Sequence, residues 1–307
     1  MSSLKSKIII GLVKNRHLFR FKLRPEIVDE NFNVHEFRER TDKMSLKTQR
    51  IPEDIEIKPI KIDRMYSEWI INKNSPENKV ILYIHGGGFM SGSCDSHRGH
   101  VSKFVMETQI KALLFDYRLA PEFPFPAAVE DCLKAYEYLL EKGYSPQNII
   151  ICGESAGGTL TLSLLKLLRN RNYDLPKAAV SISPVTDLSC SGESFHTNAK
   201  NDIAPMNSWN IWTDLYIGKN DYKDEILSPI FGKLNNLPHI YLCIGTYEIH
   251  LSDTLNFAEK AIKHGTEITL KKWDKMVHAF PILSPLFPEA KRAFEDICLF
   301  IKKKLVN

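Results

Sequence analysis

The chain has 307 residues, 43% of them apolar and 25% charged. This is ordinary globular usage and excludes a disordered chain, a fibre or a small disulfide scaffold. The formal charge of +4 is too weak to imply a nucleic-acid partner, yet residues 1–25 hold seven Lys or Arg and no Asp or Glu, so the remainder carries −3.

Residues 1–50 read as helices with no strand between them. Leu4, Ile8, Ile9, Leu12 and Val13 share one helical face, with Lys7 and Lys14 opposite. Pro25 separates this helix from a second around Asn33–Met44. Basic residues beside an apolar face admit a membrane-surface reading. The favoured reading packs the apolar face on the core and leaves the charges solvated. Ile8–Val13 is too short for a signal-peptide core, and no run approaches the ~20 apolar residues of a membrane span.

Short β-branched runs follow at Ile55–Ile62, Met65–Ile71, Val80–His85, Ile110–Tyr117, Ile149–Cys152, Ala178–Ser183, Ile240–Ile244 and Ile268–Trp273. The first two flank Asp63-Arg64 and suit an antiparallel hairpin at a sheet edge. From the third onward most alternate with helical patterns such as Ala127–Lys142 and Ala156–Arg169, which predicts an α/β protein with a mostly parallel sheet covered on both faces. Residues 187–225 break the alternation as a long polar excursion with an aromatic centre at Trp209, Trp212 and Tyr216. Long insertions beyond strand ends usually serve function. Two helical pieces flanking one site would form a lid. The six cysteines form no CxxC pair and no zinc spacing with histidine, and they read as reduced, mostly buried thiols of a cytoplasmic protein.

The strongest motif is Gly153-Glu154-Ser155-Ala156-Gly157-Gly158, between a strand run and a helix. A chance GxSxG arises on the order of 0.1 times in 300 residues, and less often in that context. The pattern presents Ser155 above a strand end, with a helix N-terminus beneath developing negative charge. His85-Gly86-Gly87-Gly88-Phe89 ends another strand. Its glycines can turn backbone N–H groups into a cavity, and Gly87, Gly88 and Ala156 are the expected oxyanion donors. No GxGxxG and no following Lys-Ser/Thr supports a phosphate loop instead. His85 reads as structural.

A serine hydroxyl needs a base. Of ten histidines, His278 lies just past the last strand run and before the last helix, where the order serine, acid, histidine would put it. The acid should follow Ile240–Ile244, and Glu248 and Asp253 compete. Asp253 also suits a helix-start role, which favours Glu248 as the acid.

These blocks occur together with Asp116-Tyr117-Arg118-Leu119-Ala120-Pro121-Glu122, Phe125-Pro126-Ala127-Ala128-Val129-Glu130-Asp131, Ser183-Pro184, Thr186-Asp187-Leu188, Ser228-Pro229 and His278-Ala279-Phe280. In that order, over roughly residues 65–300, the sequence resembles the hormone-sensitive-lipase-like carboxylesterases of the α/β-hydrolase superfamily. The resemblance implies an α/β-hydrolase fold with an eight-stranded sheet and a helical cap. It divides the chain into an N-terminal cap segment (1–50), a first core part (51–186), a cap insertion (187–225) and a second core part (226–307). It also implies Ser155 as nucleophile, His278 as base, and Gly87, Gly88 and Ala156 as oxyanion donors. Many members have Asp thirty residues before the histidine, where this chain has Glu248. Asp116 reads as a turn-stabilising acceptor.

The expected activity is hydrolysis of short- to medium-chain acyl esters through an acyl-enzyme, without metal or cofactor. The small-molecule ester is the expected partner, and the sequence fixes no oligomeric state. The alternatives are another acyl bond (amide, formamide or lactone) and a non-catalytic ligand-binding protein on the same scaffold.

Overall fold

The computed structural model describes residues 2–15, 28, 32–48, 50–204 and 207–306. Pro25 lies outside the described residues. Eight strands form one sheet: β1 (Ile55–Ile62), β2 (Met65–Asn72), β3 (Val80–Ile84), β4 (Ala112–Phe115), β5 (Ile149–Glu154), β6 (Ala178–Ile182), β7 (His239–Gly245) and β8 (Ile268–Trp273). Their spatial order is β1-β2-β4-β3-β5-β6-β7-β8. β1 and β2 form the antiparallel edge hairpin, β2 meets β4 antiparallel, and the remaining pairs are parallel.

The helices are α1 (Leu4–Lys14), α2 (Val34–Thr48), α3 (Cys94–Thr108), α4 (Ala127–Glu141), α5 (Ala156–Asn170), α6 (Glu193–Thr197), α7 (Ser208–Ile217), α8 (Leu251–Lys263) and α9 (Pro288–Leu305). The period-two alternation of the strands divides the core between the two sheet faces. Leu82, Ile84 and Ile151 pack on one side, with α4 and α5 residues such as Leu139 and Leu164. Ile81, Tyr83, Ile150 and Cys152 pack on the other, with α3 and α9 residues such as Phe104 and Ile297. Strands covered on both faces read as continuous apolar runs, which is why β3 and β5 stand out in the sequence. All six cysteines are free and buried.

β4 is shorter than the Ile110–Tyr117 run suggests. Tyr117 leaves the strand to stack on His85, with ring centroids 4.1 Å apart, and donates its hydroxyl to the His85 carbonyl at 2.9 Å. The apolar face expected on the first helix is a larger difference. α1 docks through Ser6 and Ile10, which are buried, while Leu4, Ile8 and Leu12 face solvent at 74, 54 and 50% exposure. The cause is at its N-terminus. Ser3 caps the helix through Ser6 N–H and donates its hydroxyl to Glu289 of α9 at 2.8 Å, which turns the Ser6 side inward.

From β3 the chain moves to β4 on one side and then to β5 on the other. Such a reversal opens a crevice beyond the carboxyl ends of the strands. One wall of that crevice is α3, which is tied to the sheet by charge. Glu68 on β2 is fully buried and accepts from Arg98 Nε at 2.8 Å and from Tyr66 Oη at 2.7 Å. Glu68→Ala should destabilise the fold by about 3 kcal/mol, because Arg98 would lose its buried partner on the sheet and keep only Asp95 of its own helix, 2.7 Å away. A urea midpoint unchanged from the parent protein would contradict this.

Candidate active site

At the carboxyl end of β5 the backbone reverses into α5 through Ser155, held at φ 57° and ψ −126°. A non-glycine residue there is strained, and such strain collects at functional positions. The turn is tight because neighbouring backbones nearly touch. A Cβ on Gly157 would sit 2.0 Å from the Ile84 carbonyl oxygen, and one on Gly153 would sit 2.4 Å from the Gly157 oxygen. Both glycines of the motif are therefore required by backbone approach rather than by flexibility.

Three segments separate in sequence meet at this turn. His278, on the loop after β8, approaches Ser155 Oγ with Nε2 at 2.8 Å and Glu248 Oε2 with Nδ1 at 3.2 Å. Glu248 follows β7 and is fully buried. Its Oε1 accepts from Gly245 N–H at 2.6 Å and Ser183 Oγ at 2.9 Å. Asp253 is not among the partners of His278. It sits in the first turn of α8, 3.8 Å from His250.

Asp202, from the insertion, completes the support. Its Oδ1 accepts from His278 N–H and its Oδ2 from Ile249 N–H, each at 3.0 Å. It thereby clamps the two loops that carry the histidine and the glutamate. Burial disfavours the charged imidazole of His278. The hydrogen bond and charge of Glu248 outweigh it, with Asp202 adding to them, and hold the group above its ordinary value. Burial pushes Glu248 up as well, against the pull of His278.

Gly87 and Gly88 line the same cavity as Ser155 and His278. They have φ of 122° and 65°, and a Cβ on Gly88 would meet the Trp212 ring at 2.7 Å. Ala156 is the first residue of α5, so its N–H has no intrahelical acceptor. The cavity is about 590 Å³. Its walls include Phe37 of α2, His97 and His100 of α3, and Trp209 and Trp212 of α7. Both off-pattern segments thus contribute aromatic side chains. Phe37 meets Trp212 at 5.8 Å, and Trp209 meets the His278 ring at 5.5 Å.

The motif reading passes over Glu154. Its carboxylate is buried and accepts from Gly86 N–H at 2.7 Å and Tyr83 Oη at 2.6 Å, and it pairs with His97 at 3.1 Å. Burial works against this charge, but His97, with His100 and Tyr83 adding to it, outweighs burial and lowers the carboxyl to about 2. His85, which is fully buried, is lowered to about 3 by burial and stays neutral, with Nδ1 2.8 Å from the Gly86 oxygen. Asp116 accepts from Cys94 N–H at 2.6 Å, at the start of α3. Glu154 had a signal in sequence, as the variable position of GxSxG. Ser183 had one in the Ser183-Pro184 block, whereas Asp202 and His97 had none.

A family model described as the alpha/beta hydrolase fold matches residues 81–282. An acetyl-hydrolase of Streptomyces hygroscopicus is 36% identical over 239 residues, 77% of this chain and 79% of the relative. An esterase of Acinetobacter venetianus is 32% identical over 80% of this chain and 82% of its own. The crystal structure of an esterase from the bacterial hormone-sensitive lipase family aligns with TM-score 0.90 at 32% identity, over 99% of both chains. With this sheet order, motif geometry and similarity, the chain belongs to the α/β-hydrolase fold family, in its hormone-sensitive-lipase branch.

Proposed function

We propose that the protein is a serine carboxylesterase in which Ser155 is the nucleophile, His278 the general base and Glu248 the acid that orients it. The observation that carries this reading is the continuous contact from Ser155 Oγ through the His278 ring to Glu248, at 2.8 and 3.2 Å. The names of the similar proteins, esterase and acetyl-hydrolase, support the reaction class.

In this mechanism the ester carbonyl lies over Ser155 with its oxygen toward the Gly87, Gly88 and Ala156 amides. Ser155 Oγ attacks the carbonyl carbon as His278 Nε2 takes its proton. Glu248, with one oxygen held by Gly245 and Ser183, stabilises the imidazolium through Nδ1. The amides receive the alkoxide, each contributing about 3–4 kcal/mol at the transition state. The imidazolium then protonates the leaving alcohol, and an acyl-enzyme remains. Water, deprotonated by His278, repeats the attack and releases the acid. Glu154 acts through the glycine loop as a positioning residue, since it anchors Gly86 beside the two expected donors. The aromatic walls of the cavity, given by α2 and α7, serve as a cap over it. A bounded cavity of about 590 Å³ suits short to medium acyl groups.

Ser155→Ala should abolish p-nitrophenyl acetate hydrolysis while preserving the unfolding transition; undiminished turnover would overturn the assignment. Across acetyl to palmitoyl esters, kcat/KM should peak at short to medium length, and a steady rise to palmitoyl would refute the acyl range.

The base must be neutral to accept a proton, so activity falls as pH drops through the His278 pKa, which lies above the ordinary 6.5. Glu248→Gln removes the charge that raises it. That variant should move the acidic limb of kcat/KM down and lower kcat on the order of 10³–10⁴-fold. An unmoved limb with normal kcat would assign the role elsewhere. Glu154→Ala should reduce kcat more than it changes KM, and Glu154→Gln, which keeps an acceptor for Gly86 N–H, should recover much of the loss. Equal effects of the two on stability alone, with kcat intact, would reduce Glu154 to a structural role.

A further inference from the structure

The described part of the N-terminal segment presents an apolar stripe that no described element of the fold covers. Leu4, Ile8 and Leu12 of α1 lie within about 80° of one another around the helix axis. All three are at least half exposed, while Ser6 and Ile10 on the opposite side are buried. Lys7 borders the stripe on one side and Lys5 on the other, both exposed. Long basic side chains flanking an apolar centre are arranged to reach the charged layer of a lipid surface while the centre enters the acyl boundary. Charge points to the same occupant. The basic excess of the whole chain lies in residues 1–25, which contain no acid, and the rest is net negative. An anionic surface would therefore attract this end of the chain and repel the remainder. No described helix is long and apolar enough to cross a membrane, so α1 would lie in the interface plane. Val13, on the inward side of the same helix, lines the cavity that holds Ser155, so the stripe is within a turn of the cavity wall.

We propose that α1 docks the protein on an anionic lipid surface, with Leu4, Ile8 and Leu12 entering the interface and Lys5 and Lys7 pairing with anionic headgroups. Three side chains and a basic cluster give reversible, salt-sensitive attachment rather than permanent anchoring.

The test is co-sedimentation of the full chain with vesicles of phosphatidylcholine, with and without phosphatidylglycerol, at low and high salt. The protein should partition onto the anionic vesicles roughly tenfold or more better than onto phosphatidylcholine alone, and high salt should release it. Leu4→Ser/Ile8→Ser/Leu12→Ser and Lys5→Glu/Lys7→Glu should each lower binding roughly tenfold. Both should retain hydrolysis of soluble p-nitrophenyl acetate. The lysine variant alters only exposed side chains and carries the test if the serine variant fails to fold. Absence of binding by the parent chain, equal salt-independent binding to both vesicles, or undiminished binding by a folded variant would overturn the proposal. So would a drop in the lipid-free sedimentation coefficient of the serine variant, which would assign the stripe to a second copy of the chain.

Discussion

The near-contact of β5, α5 and the end of β3 governs the rest of this structure. Gly153 and Gly157 bring the β5–α5 turn so close to the Ile84 and His85 carbonyls that no side chain fits between them. That approach forces Ser155 to φ 57°, a conformation an isolated chain would avoid. Ser155 N–H donates to the Ile182 carbonyl at 2.8 Å, which fixes the turn against β6 as well. The hydroxyl is thereby held above the sheet by packed backbone rather than by a mobile loop. Preorganisation of this kind is what an oxyanion-stabilising site requires.

Two buried carboxylates then organise the loops around that turn. Glu154 joins the glycine loop, the β3 tyrosine and the α3 histidine, so the donor side of the site is referenced to the sheet. Glu248 joins β6, β7 and the histidine loop through Ser183, Gly245 and His278. Asp202, reaching in from the insertion, ties the histidine loop to the segment just after Glu248. The segment between β6 and β7 thus helps to hold the groups of the site. The cost of leaving any of these carboxylates unpartnered in the interior explains why their hydrogen bonds are so nearly complete.

Much of this architecture is legible in the residues. β3, β5, β6 and β7 are buried on both faces and so write themselves as apolar runs, and the two glycine motifs mark the turns they form. Chain order, with a place just past the last strand run, narrows the proposed base to His278. The proposed acid is harder, because Glu248 and Asp253 both follow β7. Only the course of the loop from Gly245 brings Glu248 back to its own strand end and sends Asp253 into α8. Asp202 and His97 are invisible to local pattern, since their partners lie 76 and 57 positions away. The orientation of α1 is invisible for another reason. Its sequence is apolar on more than one side, and the choice of inward face rests on Ser3 meeting Glu289 nearly three hundred residues later.

Labelling with a fluorophosphonate, followed by peptide mass analysis, tests the central claim most directly. The account predicts one adduct per chain, on the peptide containing Ser155, abolished when His278 is replaced by alanine. Absence of an adduct on the folded parent chain, or a stoichiometric adduct on a different residue, would contradict it.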